Sequence, residues 1–194
     1  MESPFADLLA RARGGDREAL ETLLTPQLPA LTAYVRLRLE GALARRESSA
    51  DLVQSICREV IDDIATVKGA TEEAFRGWLY GIAAHKLSDR RDYHRAARRD
   101  PARESPAPPE TSPEELLLAY SRIATPSREA MSREELDRIE AAFDALPPDH
   151  RDVLVHVAIA GLSYAETSAL TGRSEVSLRQ LVHRARARLA TLLA

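Results

Sequence analysis

Apolar residues recur at steps of three and four along most of this chain, a spacing that is typical of amphipathic α-helices. The first predicted helix begins at Ser3-Pro4 and ends at Gly14-Gly15, and Asp16 begins the second. Pro26 and Pro29 then interrupt the second helix before a further helical segment. Since alternating β-branched positions do not occur, the pattern predicts an all-α protein.

Two stronger helical patterns follow in the first half of the chain. Ser48 or Ser49 is expected to cap a helix that ends at Lys68-Gly69, and its predicted inward positions are Leu52, Val53, Ile56, Cys57, Val60, Ile61 and Ile64. The next helix begins after Thr71 and is predicted to be the longest, ending near Arg99. Trp78 stands beside its apolar positions and is expected to fill the core.

A change in composition divides the chain into two small helical domains. Five prolines lie between residues 101 and 113, and residues 104–149 carry eleven acids against four arginines, a net charge of −7. An acidic, proline-rich stretch of this kind is typical of a linker. The sequence therefore predicts domains over residues 1–100 and 132–194, joined by a flexible linker over 101–131.

The second domain is predicted to end in a helix-turn-helix. Ser132 with Glu135 forms a capping box before a helix that Pro147-Pro148 ends, and Ser163 with Glu166 forms another. Gly172 is expected to end the helix that begins at Ser163, and Ser174 to cap the last one. In that last helix the predicted inward stripe consists of Leu178, Leu181, Val182, Ala185, Leu189 and Leu192.

The opposite face of the last helix is basic. Residues 173–188 contain five arginines and one acid, a local charge of +4. In this motif the first residues of the second helix enter the major groove, where Arg suits guanine and Gln suits adenine, so Arg179 and Gln180 are the base-reading candidates. The predicted DNA-binding set is Arg173, Ser174, Ser177, Arg179, Gln180, His183, Arg184 and Arg186.

A second basic segment lies at the end of the first domain. Residues 86–103 contain seven bases and three acids, again a charge of +4. Aromatic residues interleave with these charges, a combination that is typical of surfaces for single-stranded or unstacked nucleic acid. The predicted residues of this surface are Tyr80, Lys86, Arg91, Arg95 and Arg98.

Charge and composition exclude several other classes. The net charge is −3, so any affinity for nucleic acid has to come from local patches. Cys57 is the single cysteine, and neither metal-ligand spacing, nor a phosphate-binding glycine loop, nor a nucleophile elbow occurs. We therefore expect no enzyme activity, cofactor, metal or small-molecule substrate. Without an apolar run of roughly 20 residues, the chain is expected to have no membrane partner and to be cytoplasmic.

Several motifs, in order, resemble the extracytoplasmic-function (ECF) sigma factors of bacterial RNA polymerase. The first is Asp51-Leu52-Val53-Gln54, and the second covers residues 75–83 with Asp89-Arg90-Arg91. The third comprises Leu146-Pro147, residues 161–166 and His183-Arg184-Ala185-Arg186. Together they cover nearly the whole chain.

The resemblance implies a transcription initiation factor with three contact surfaces. The first domain would bind core RNA polymerase and the downstream promoter element, and would assist promoter melting. The helix-turn-helix domain would bind the upstream promoter element, and an anti-sigma protein is an additional candidate partner. The implied polymerase-binding residues are Asp51, Gln54, Ser55, Arg58 and Asp62.

Two other interpretations remain open at the level of sequence. The chain could be a stand-alone dimeric helix-turn-helix regulator whose first domain dimerises or senses a signal, or a helical adaptor that binds protein alone. The basic segment over residues 86–103 favours the sigma-factor interpretation, because a dimerisation domain has no use for a second nucleic-acid surface.

Overall fold

The computed structural model describes residues 4–39, 48–95 and 133–193, with the side chains of 91–95 and 133 outside the description. Within these ranges the chain is helical and contains no β-strand. The helices are α1 (Pro4–Arg13), α2 (Arg17–Leu24), α3 (Leu28–Arg38), α4 (Ser49–Asp63), α5 (Glu72–Arg95), α6 (Arg133–Asp144), α7 (Pro148–Leu154), α8 (Tyr164–Thr171) and α9 (Glu175–Leu193). The all-α prediction is confirmed.

Two of the predicted helix starts in the first half are present with their caps. The Asp16 carboxylate accepts hydrogen bonds from the backbone N–H groups of Glu18 and Ala19, at 3.0 and 3.2 Å. The Ser48 hydroxyl accepts from Asp51 N at 3.0 Å and begins α4. Local side-chain chemistry therefore sets these boundaries, as the sequence predicts.

The end of α4 differs from the prediction. The α-helix stops at Asp63, and a 3₁₀ turn over Ile64–Thr66 follows it before Gly69, whose φ is +89°. The turn places Ile64 inside the core, whereas Ile61 is 50% exposed instead of buried as expected.

Three predictions lie outside the described residues. They are the capping box at Ser132, the end of the long helix near Arg99, and the linker over residues 101–131. The division into two domains with that linker stays a prediction.

The first half of the chain packs around α5. Phe75 and Leu79 of α5 are fully buried with Ile56 of α4 and Leu31 of α3. Trp78 is only partly buried against this core and so does not fill it as expected, and its indole N–H donates to Thr66 Oγ1 at 3.2 Å.

The second half packs around α9, whose Leu178, Ala185 and Leu189 are fully buried or nearly so. Arg151 of α7 is buried as well, and its guanidinium donates to the backbone carbonyls of Phe143 and Asp144 at 2.8 Å each. These bonds satisfy carbonyls at the end of α6, which fixes α7 against it.

The two halves contact each other mainly through α3, and α8 also packs against α5 near Gly77. Helix α3 packs against α6, α7 and a π-helical turn that continues α7 over Val155–Ile159. Arg36 of α3 forms an ion pair with Glu140 of α6 at 2.7 Å, and the buried residues of both halves form one cluster. All described helices therefore share one compact arrangement.

Candidate nucleic-acid interface

Helices α8 and α9 form the predicted helix-turn-helix. The Ser163 hydroxyl accepts from Glu166 N at 3.1 Å, and Ser163 N donates to the Glu166 carboxylate at 2.7 Å, which completes the capping box. Gly172 has a φ of +71° and ends α8, because a left-handed residue turns the chain out of the helix. Ser174 Oγ then accepts from Ser177 N at 3.3 Å and begins α9.

One stripe of α9 is buried and fixes the orientation of the helix. Leu178, Leu181, Val182, Ala185 and Leu189 are all buried, while Leu192 is partly buried. The predicted inward stripe is confirmed for these positions. The remaining face of α9 is consequently directed to solvent.

That open face carries the predicted upstream DNA-binding residues. Ser177 is partly buried, and the exposed members are Arg173, Ser174, Arg179, Gln180, His183, Arg184 and Arg186. The structure therefore brings the whole predicted set onto one accessible surface, together with Val176, which is 63% exposed. The sequence predicts that Val176 lies outside the inward stripe, but no feature of the sequence identifies it as a binding residue.

Two arginines of this face have protein partners. Arg179 donates to the Glu175 carboxylate at 2.7 Å, and its guanidinium carbon lies 5.1 Å from the centre of the Tyr164 ring. Arg173 forms an ion pair with Asp149 at 2.8 Å. Both pairs are substantially exposed, so their free energies are small and a phosphate or base can compete for the guanidinium groups.

The predicted downstream DNA-binding residues are placed differently. Tyr80 is fully buried, and its hydroxyl has no hydrogen-bond partner among the described residues. Lys86 is mostly buried, since its ammonium group donates to Ser55 O and to the Glu59 carboxylate. In this arrangement neither residue forms part of an open DNA-facing surface.

For the remaining residues of the predicted downstream set, only part of the position is described. Arg91 and Arg95 lie on the last turns of α5, and Arg98 lies outside the described residues.

The predicted polymerase-binding residues share the outer face of α4. Asp51, Gln54, Arg58 and Asp62 are exposed and Ser55 is partly buried. The exposed Ile61 lies on the edge of the same face, three residues from Arg58. Its spacing fits the inward stripe, so the sequence predicts it to be buried. Its exposure depends on how α4 is tilted on the core, which spacing alone does not show.

The sequence does not predict the buried polar contact that Tyr34 and His156 form between the two halves. The Tyr34 hydroxyl lies 3.0 Å from His156 Nε2, although 122 positions separate the two residues in sequence. Neither residue carries a local signal of this contact.

Among residues 4–39, 48–95 and 133–193, no group of three or more His, Cys, Asp or Glu is placed to hold a metal ion. Within the same ranges, no helix has the length and apolarity needed to cross a membrane.

An all-α protein whose last two helices form a helix-turn-helix with an open basic face has the architecture of a DNA-binding protein. A family model described as sigma-70, region 4, matches residues 136–189, which include this motif.

Comparison with known proteins gives the family. The chain is 35% identical to the ECF RNA polymerase sigma factor SigD of Mycobacterium tuberculosis, over 94% of this chain and 80% of that protein. It is 32% identical to the ECF RNA polymerase sigma factor ShbA of Streptomyces griseus, over 95% and 93% of the two chains. The RNA polymerase sigma factor CarQ of Myxococcus xanthus is 30% identical over 95% of each chain.

A solved structure shares the fold. It contains CnrH in complex with the cytosolic domain of CnrY, and it superposes with a TM-score of 0.61 at 23% identity, covering 98% of this chain and 97% of that one. The chain belongs to the ECF RNA polymerase sigma factors. It is therefore a DNA-binding transcription initiation factor that acts with RNA polymerase, which favours the sigma-factor interpretation over the dimeric regulator and the protein-binding adaptor.

Proposed function

We propose that this chain binds core RNA polymerase through α4 and directs it to promoters through two separate DNA-binding surfaces. The observation that carries the proposal is the open basic face of α9 directly after a tight helix-turn-helix turn. A helix presented in this way fits the major groove, and its arginines compensate phosphate charge.

On the upstream promoter element, Arg179 and Gln180 are the base-reading residues. Both lie in the second turn of α9 and are exposed. Glu175 and the Tyr164 ring hold the Arg179 guanidinium near the start of the helix, which limits its rotamers before DNA arrives. The exposed residues Arg184 and Arg186 lie further along α9 and would contact phosphates.

On the downstream element, the contact would come from the end of α5 and the basic segment that follows it. The charge of +4 over residues 86–103 supports phosphate contacts by Arg91, Arg95 and Arg98. Since Tyr80 is buried and Lys86 is paired with Glu59, these two residues can join the surface only after a rearrangement.

The outer face of α4 is the proposed polymerase-binding surface. Its polar residues are Asp51, Gln54, Ser55, Arg58 and Asp62, and Ile61 adds an apolar side chain that is half exposed. An exposed aliphatic residue at the edge of a polar face is a suitable anchor for a protein partner, because burial on binding removes its apolar area from water.

The remaining parts of the proposal concern the whole chain. Residues 1–100 and 132–194 would act as two domains joined by the linker over 101–131, without enzymatic activity and in the cytoplasm, where polymerase and promoter DNA are found. An anti-sigma protein is a further proposed partner. The structural neighbour CnrH supports this point, since it was solved with the cytosolic domain of a second protein, CnrY.

Replacement of one side chain on α4 tests the polymerase contact. Ile61→Ala should weaken binding to core polymerase about tenfold, which corresponds to roughly 1.4 kcal/mol of lost apolar contact. Leu28→Ala is the matched control, because Leu28 of α3 is also an exposed aliphatic residue, at 36%, but lies outside the proposed surface. Titration of labelled core polymerase with each variant gives the two dissociation constants. Equal constants for wild type and both variants would show that this face of α4 does not carry the contact.

A further inference from the structure

Val176 is an exposed aliphatic residue on the basic face of α9. Among the large apolar side chains of residues 4–39, 48–95 and 133–193 it is the most exposed, at 63% against 50% for Ile61 and 36% for Leu28. It belongs neither to the buried core of these residues nor to the side chains packed against that core. Its methyl groups are therefore available to a binding partner.

The position of Val176 distinguishes it from an incidental apolar residue on a surface. Arg179, Gln180 and His183 follow it by three, four and seven positions, so the four residues share one side of the helix. The fully buried Ala185 follows it by nine positions, which is two and a half turns, and lies on the opposite side. Val176 is also the second residue of α9, and in a helix-turn-helix the first residues of the second helix reach the base edges.

The neighbouring arginine leaves Val176 uncovered. Arg179 donates to the Glu175 carboxylate at 2.7 Å, and its guanidinium carbon lies 5.1 Å from the centre of the Tyr164 ring. With the arginine held in this position, most of the Val176 side chain remains open to solvent. Val176 and Arg179 can therefore contact the same DNA duplex without a rearrangement of either side chain.

The Val176 side chain is rigid. A β-branched residue in a helix has one strongly preferred χ1 rotamer, so the two methyl groups of Val176 occupy nearly fixed positions on α9. A partner that packs against them consequently restricts little side-chain motion, whereas a long polar side chain loses more rotamer freedom on binding.

The surroundings of Val176 indicate the chemistry of its partner. Residues 173–188 carry a local charge of +4, which favours a polyanion such as duplex DNA. In the major groove, thymine presents a C5 methyl group, while the edges of guanine, adenine and cytosine present hydrogen-bonding groups. A valine placed over those polar groups would remove them from water without giving them a partner. Thymine is therefore the base that fits this side chain.

We infer that Val176 is a specificity-determining residue that packs against the C5 methyl group of a thymine in the upstream promoter element. This inference rests on the proposed function of α9 as the helix that reads that element. One helical turn rises about 5.4 Å and stacked base pairs about 3.4 Å, so the thymine should lie about one or two base pairs from the pair that Arg179 or Gln180 reads.

Removal of one methyl group from the DNA tests the inference. The complex of core polymerase with this chain first selects its upstream element from a library of randomised duplexes. Each thymine of the selected element is then replaced singly by deoxyuridine, which lacks only the C5 methyl group. At the thymine in the expected position, the wild-type complex should bind about fourfold more weakly, the factor expected when one methyl group leaves an apolar contact.

Two variants assign this loss to Val176. Val176→Ala removes both methyl groups of the valine, so its complex should bind the thymine and deoxyuridine duplexes equally. Val176→Ile is the matched control, because it keeps a branched aliphatic side chain and should retain the loss. Since Val176 is exposed, neither variant removes a core contact, and both should fold like the wild type.

The outcomes distinguish this inference from the proposed function. An upstream element without a thymine in the expected position would overturn the inference and leave the proposed function standing. An equal loss in wild type and Val176→Ala, or no loss at any thymine, would do the same. Weaker binding of Val176→Ala to core polymerase without DNA would show that the side chain contacts protein, and would also overturn the inference. A wild-type complex that selects no upstream sequence would overturn the proposed function, and this inference with it.

Discussion

Arg179 illustrates how a single side chain combines local order with availability to DNA. Its ion pair with Glu175 joins residues four apart on an exposed helix face, and such pairs contribute about 0.3–0.5 kcal/mol. A bidentate contact with a guanine edge is worth about 1–3 kcal/mol of discrimination. The proposed DNA contact would therefore outweigh the intramolecular pair, which would serve to orient the guanidinium.

Replacement of Arg179 should change which sequences are preferred. Arg179→Ala is expected to relax selectivity at one base pair of the upstream element, at a cost of about 1–3 kcal/mol. The control is Arg186→Ala, an exposed arginine of the same helix proposed to contact phosphate, which should weaken all sequences alike. Competition between promoter variants measures both effects. Uniform weakening by Arg179→Ala would contradict its assignment to base reading.

His156 is a titratable residue of the buried cluster between the two halves of the chain, and burial changes its protonation. Desolvation and, secondarily, the positive charge of Arg38 lower its pKa to about 3. The groups that face it are Arg38 and Tyr34 of α3 and Asp152 of α7, with Tyr80 of α5 behind Tyr34. Burial also raises the pKa of Tyr34, so its hydroxyl stays protonated as a donor.

The lowered pKa of His156 predicts a loss of stability in acid. Unfolded histidine binds a proton near pH 6.5, whereas the native residue stays neutral down to about pH 3, so the unfolded state gains protons as pH falls through this window. From pH 8 to pH 5 the wild-type free energy of unfolding should lose about 2 kcal/mol through this residue. His156→Gln should lack that part of the loss. Urea unfolding of both proteins at each pH measures it, and parallel profiles would contradict the assignment.

At the scale of elements, the tight turn between α8 and α9 determines how the recognition helix is presented. Gly172 has a φ of +71° and no other atoms within 4 Å of a Cβ placed there, so its requirement for glycine is conformational and not steric. Gly81 differs from Gly172 in its backbone, because it lies inside helix α5. A Cβ placed at Gly81 also meets no atom within 4 Å.

These two glycines should respond to alanine with opposite signs. Gly172→Ala is expected to destabilise the protein by about 1 kcal/mol, because a left-handed backbone is costly for alanine. Gly81→Ala should stabilise it by about 0.5–1 kcal/mol, since alanine favours helix. Chemical denaturation of both variants provides the comparison. A loss of equal size in each would show that the substituted methyl group, and not the backbone conformation, sets the effect.

The elements that the sequence predicts well are those that local chemistry determines. The caps at Asp16, Ser48 and Ser163 and the stripe of α9 follow from residues within a few positions of one another, and the structure confirms them. The exposure of Ile61 and the burial of Tyr80 depend on how separate helices pack, so periodicity predicts them wrongly or not at all.

At the scale of the whole molecule, the three proposed contact surfaces share one small protein of net charge −3. The basic faces are local, so the overall field does not draw the chain to nucleic acid, and binding depends on how those faces are presented. The contact between Tyr34 and His156 links residues 122 positions apart, and neither charge nor composition predicts such a pairing. How the basic faces are presented to DNA therefore depends on how the two halves of the chain are placed relative to each other.

The central claim is that this chain gives core RNA polymerase its promoter selectivity. Transcription of fragmented genomic DNA by core polymerase, with and without the purified chain, followed by mapping of transcript 5′ ends, tests it most directly. We predict a new set of start sites that share an upstream and a downstream sequence at a constant spacing. Start sites identical to those of core polymerase alone, together with duplex binding by a homodimer of the chain without polymerase, would contradict the claim.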